Sequence, residues 1–159
     1  MKILSLVSAV LLVLVSIGAK AKSSIQIFEG TYTIVDCHGD EISLWPSPLT
    51  LKVVEGNLVG TSEDGKVELN FEAINKGTQH KVTEEDGRKV FTDTTVVFKG
   101  TKISERLQTT MEGLPGREKL VHSLKVTSDG GLVGELKHDY RILGWPVLKA
   151  KGQCTFKRD

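Results

Sequence analysis

Apolar and polar side chains alternate with a period of two along most of this chain, and no other feature narrows its possible folds as much. Val67, Leu69, Phe71 and Ala73 alternate with Glu68, Asn70 and Glu72, and Leu49, Leu51 and Val53 alternate with Thr50 and Lys52. Such a pattern belongs to strands with one dry and one wet face, because successive side chains of a strand point to opposite sides. After residue 22 no window carries a 3.6-residue stripe over three turns. Turn chemistry falls between the alternating runs, at Gly56-Asn57, Asp64-Gly65, Asp86-Gly87, Lys99-Gly100, Pro115-Gly116 and Asp129-Gly130-Gly131. The spacing predicts ten strands, near 28 to 36, 48 to 55, 57 to 62, 66 to 74, 78 to 84, 88 to 98, 102 to 112, 118 to 127, 132 to 141 and 147 to 156. Short hairpin loops make sequential strands neighbours, and closing the sheet on itself removes both of its edges. The expected fold is therefore all-β, an antiparallel up-and-down β-barrel of about 8–10 strands. A two-sheet sandwich is the alternative, and only His38 to Pro48 and Ile142 to Pro146 offer it a long connection.

The first residues follow another rule. Lys2 precedes an apolar run from Ile3 to Ile17, broken only by Ser5, Ser8 and Ser16, and Ala19-Lys20-Ala21 is a small-x-small cleavage site. Fifteen helical residues span roughly 22 Å, short of the roughly 30 Å hydrocarbon core, so the segment reads as a secretory signal peptide rather than an anchor. The expected division is a signal peptide at 1–21 and a single barrel domain at 22–159, secreted or periplasmic. Without Lys2 and Lys20, the 21 basic residues fall to 19 against 20 acidic ones. A near-neutral domain argues against nucleic-acid binding and against strong attraction to anionic lipid. No later apolar stretch is long enough for a spanning helix, and Lys22, not Cys, follows the cleavage site, so a soluble product, not an integral membrane protein, is expected.

Cys37 and Cys154 lie near opposite ends of the exported segment. In an oxidising compartment they are expected to form a disulfide. A loop of that length is worth roughly 4 to 5 kcal/mol in the chain-entropy picture. A reactive thiol at Cys37 beside His38 is the rival reading, and it lacks an orienting third group. Geometry raises an objection. In a ten-strand meander the first and last strands run antiparallel, which sets Cys37 near one end and Cys154 near the other, roughly 20 Å apart at about 3.3 Å per residue. A disulfide needs Cα atoms within about 7 Å.

Gly30-Thr31-Tyr32 resembles the Gly-x-Trp of the lipocalins with Tyr32 in place of the Trp, and Asp139-Tyr140 resembles a fragment of the second lipocalin motif. The longer first loop and the strand count are similar to the calycin barrels, fatty-acid-binding proteins among them. That resemblance implies a cup carrying a small apolar molecule.

Assigning the drier parity to the inside turns Val90, Thr92, Thr94, Val96 and Phe98 inward. By the same rule Ile103, Glu105, Leu107, Thr109 and Met111 point in, then Leu120, His122, Leu124 and Val126, then Leu132, Gly134, Leu136, His138 and Tyr140. Burying an unpaired hydroxyl or charge costs from about one to several kcal/mol, so a mixed wall suggests room for water or a ligand head group. A three-residue loop at Asp129 to Gly131 would set His122 opposite His138, with Glu105 and Thr109 on the next strands. Two imidazoles and a carboxylate could hold a metal or a polar ligand group, but solvation near an open rim or satisfaction by backbone carbonyls is the preferred account of them, and no metal or cofactor is expected. No nucleophile with a placed base and no phosphate-cradling glycine loop is present, so the expected role is binding rather than catalysis. Glu105, Thr109, His122, His138 and Tyr140 would supply the polar contacts. Trp45-Pro46 and Trp145-Pro146 lie in connections that emerge at one end of a strict meander, where they would frame a mouth or plug it. They support the alternative role, an interaction or inhibitor module docking an extracytoplasmic protein through the Trp45 and Trp145 loops.

Overall fold

Tight glycine-containing turns dominate the architecture. The computed structural model describes residues 24–40 and 45–159, so the signal-peptide reading at 1–21 lies outside the described residues. A short 3₁₀ helix, Ile25–Phe28, capped by Ser24, precedes the sheet and has no counterpart in the alternation pattern. The strands are β1 (Gly30–Gly39), β2 (Leu49–Val54), β3 (Asn57–Thr61), β4 (Val67–Phe71) and β5 (Thr78–Glu85). They continue with β6 (Arg88–Lys99), β7 (Lys102–Met111), β8 (Gly116–Val126), β9 (Leu132–Ile142) and β10 (Trp145–Arg158). All ten expected strands are present. Three of the hairpins turn on a residue and a glycine that both have positive φ, Glu55-Gly56, Asp86-Gly87 and Leu143-Gly144. This is the type I′ geometry that matches strand twist. The expected long connection from Ile142 to Pro146 is thus a two-residue turn, with Trp145 and Pro146 inside β10.

Every pairing is antiparallel and the order is β4-β3-β2-β1-β10-β9-β8-β7-β6-β5. The first strand meets the last, which bends the meander round on itself. Closure stops there: β4 and β5, consecutive in the chain, occupy opposite edges and leave an open, strongly curled half-barrel instead of the expected closed ring. Both edges are blunted in ways that discourage further pairing. β4 is five residues long, while β5 is exposed throughout and carries Lys81, Glu84 and Glu85. The link between them lies along β6 at Asn75. Its backbone N–H donates to Val96 O, its Oδ1 accepts from Phe98 N and its Nδ2 donates to Phe98 O.

The core fills one end of the concave face. Phe28 of the 3₁₀ helix and Tyr32, Leu49, Leu51, Leu58 and Phe71 of β1–β4 pack with Val96, Ile103, Leu124, Leu132, Leu136 and Phe156 of the other strands. Tyr32 is fully buried, its hydroxyl donates to Phe28 O at 3.0 Å, and Arg158 lies over its ring. Burial raises the phenol above its ordinary value, partly offset by Arg158. The folded chain therefore holds this proton more tightly than the unfolded one. Stability from Tyr32 is complete below pH 10.0 and falls as pH climbs through the raised folded-state value. Urea midpoints measured on either side of about pH 10 should drop more for wild type than for Tyr32→Phe. An identical drop in both would remove the role assigned to Tyr32.

Cys37 and Cys154 are bonded, with Cα atoms 4.1 Å apart in directly opposed positions of β1 and β10. The objection from strand direction fails because the strands are staggered, not level. β10 is 14 residues long, and only its second half pairs with β1, from Gly39 opposite Gly152 to Tyr32 opposite Arg158. A bulge at Val35 keeps Ile34 and Cys37 both turned inward. Trp145 to Lys151 continue beyond the end of β1, paired with β9, and Asp40 N–H donates to Lys151 O.

Candidate ligand pocket in the concave face

Gly134 of β9 makes the space around which the site is built. A Cβ there would come within 2.9 Å of the Trp45 ring, so the missing side chain allows the indole to approach the sheet closely. Trp45 is 6% exposed and meets Phe156 edge to face. Its Nε1 is buried and has no hydrogen-bond partner among the described residues. Beside it opens a pocket of about 270 Å³ lined by Trp45, Glu68, Leu69, Leu120, His122 and Leu136. Glu68 and Leu69 belong to edge strand β4 and the last three to β8 and β9, so the pocket lies across the concave face between the edge strand and the opposite wall.

The Trp45 and Trp145 loops do not frame a common mouth. Trp45 folds into the concave face, whereas Trp145, 78% exposed, stands on the far projecting end of β10. The stagger that aligns the cysteines carries the β9–β10 hairpin away from the packed end.

Glu105 and His122 face each other across β7 and β8, with Glu105 Oε2 3.4 Å from His122 Nδ1 and both side chains largely covered. His138 is not opposite His122. The β8–β9 hairpin opens after Val126 and closes at Leu132, a five-residue loop rather than three, held by Thr127 and Asp129. The two-residue slip keeps every side chain on its face but sets His122 against Leu136 and His138 against Leu120. His138 Nε2 instead pairs with Glu118 Oε1 at 2.7 Å. The single histidine–glutamate cluster is thereby two imidazole–carboxylate pairs at successive levels of one wall. Among the described residues no three His, Cys, Asp or Glu side chains converge as a metal site would require.

Thr109 and Tyr140 both lie opposite Glu118, on the strands to either side of it, farther from the core. Tyr140 covers Gly116, where a Cβ would meet its hydroxyl at 2.8 Å. Glu118, Glu68 and the Gly134 platform were missed from sequence. Glu118 was within reach, since it lies two residues before Leu120 on the parity already assigned to the inside. Glu68 was not, because it reads as the wet face of its strand and reaches the pocket only because that strand is an edge.

No family model and no curated protein matches the chain.

Proposed function

We propose that the protein is an exported, lipocalin-like carrier that binds a small, mostly apolar molecule in the concave pocket. Trp45 carries the reading: a buried indole N–H without an acceptor among the described residues has a cost in free energy that a ligand oxygen reaching it would offset. Leu69, Leu120 and Leu136 offer the apolar wall, and His122, backed by Glu105, is a second polar contact. Glu68 is the carboxylate among the lining residues, and Glu105 stands behind His122, which favours a neutral carbonyl or hydroxyl over a carboxylate. Thr109, His138 and Tyr140 line the path outward on the same face. The disulfide is consistent with export to an oxidising compartment, in line with a signal peptide at residues 1–21.

Decanol is a suitable probe, with one hydroxyl and an apolar tail. Titration should change the emission of Trp45. Trp45→Phe, which keeps an aromatic ring and deletes the N–H, should weaken binding about tenfold by isothermal titration. Chain recovered from its producing cells should also retain a small molecule in native mass spectra. A pocket that neither retains a molecule nor responds to decanol would refute the carrier reading.

A further inference from the structure

The β9–β10 hairpin breaks two local rules in the same direction. Leu143 occupies the turn with φ 49, a conformation that favours Gly, Asn or Asp, and it is 75% exposed. Trp145, Val147 and Leu148 follow on the projecting part of β10, at 78%, 59% and 44% exposure. Leu114 of the adjoining β7–β8 turn joins them, since Leu143 N–H donates to Pro115 O. The fold therefore presents an aliphatic and aromatic tip clear of the core.

Immediately behind the tip the convex face is basic. Arg117 faces Arg141, whose guanidinium is held by Asp139, and Lys137, beside Glu135, faces Lys151, so cations outnumber carboxylates on this part of the sheet. Lys119 and Lys149 flank Asp139 in the row between, and a depression of about 300 Å³ is lined by Lys119, Lys137, Lys149 and Lys151 together with Asp40 and Asp139. The near-neutral total charge of the chain conceals this local asymmetry.

We infer that the β9–β10 hairpin docks the protein on an anionic lipid bilayer, with Leu143, Trp145 and Val147 entering the interface and the lysine-lined depression receiving lipid phosphate. Trp prefers the headgroup level of a bilayer, and lysines near a negative surface add attraction that falls within a Debye length. The apolar residues lie at one corner of the sheet, level with the β7–β8 turn and past the end of β1, with the lysines behind them, an arrangement that matches the apolar interface and anionic surface of a bilayer. The inference is independent of the interior pocket, since none of these residues lines it. It revises the expectation from total charge, which treats the surface as uniform.

The test uses the exported chain with vesicles of phosphatidylcholine mixed with phosphatidylglycerol, some carrying brominated acyl chains. Trp145 fluorescence should be quenched on the anionic vesicles at low salt, and Trp145→Phe should remove the quenchable component while buried Trp45 persists. In co-sedimentation, Leu143→Asn with Trp145→Ser, and separately Lys149→Glu with Lys151→Glu, should each weaken binding at least about tenfold. These positions are exposed, and Asn relieves the turn, so the variants should keep the wild-type circular dichroism. Unquenched Trp145, equal binding to pure phosphatidylcholine, or a hairpin variant that sediments like wild type would overturn the proposal. So would retention on a protein partner with no affinity for vesicles, which would assign the tip to an interaction module.

Discussion

Replacing Cys37 and Cys154 together by alanine should lower the unfolding free energy by about 4 to 5 kcal/mol. The bond spans 117 positions, so nearly the whole described sheet lies inside the loop it closes. Its removal frees the unfolded chain, and it also unlinks the one seam, β1 with β10, at which the meander returns to its start. For a domain of this size the melting temperature should fall by more than about 10 °C. Total stabilities lie near 5 to 15 kcal/mol, so much of the margin is at stake. Reductant should reproduce the effect in wild type and leave the double variant unchanged. A melting point within about 2 °C of wild type would show that strand pairing alone holds the seam.

The two tryptophans should respond in opposite ways to truncation. Trp45→Ala removes a 6% exposed indole from between Gly134 and Phe156 and should cost about 3 to 5 kcal/mol. Trp145→Ala removes a side chain 78% exposed and should change stability by less than about 0.5 kcal/mol. Gly134→Val should partly mimic the first by driving the indole off the sheet, at about 1 to 3 kcal/mol. Urea denaturation followed by circular dichroism measures all three. Equal losses for Trp45→Ala and Trp145→Ala would contradict the placement of Trp45 in the concave face.

Strand positions were legible because two local signals agree, alternation within strands and glycine turn chemistry between them. The inner parity of β6 to β9 follows from the same alternation, and it places Glu105 and His122 on the concave face as expected. Register was less accessible. At Asp129 the glycines mark a turn but do not fix whether three or five residues form the loop, and that difference of two separates His122 from His138. The destination of Trp45 was hidden for a related reason. Trp-Pro in a long connection reads alike whether the ring is outside or inside, and the deciding residue, Gly134, lies far away in the chain.

The sequence by itself determined the class of structure, the ten strands, their sidedness and the cysteines able to cross-link, because each is a property of neighbours along the chain. Only the tertiary structure decided the stagger of β10 against β1, the gap between β4 and β5, the pocket between β4 and the β8–β9 wall, and the exposed end of the β9–β10 hairpin. These depend on how far one strand slides past another before its ladder of hydrogen bonds is fixed. That displacement is set by bulges, loop lengths and packing between residues far apart in sequence, to which a period of two is blind.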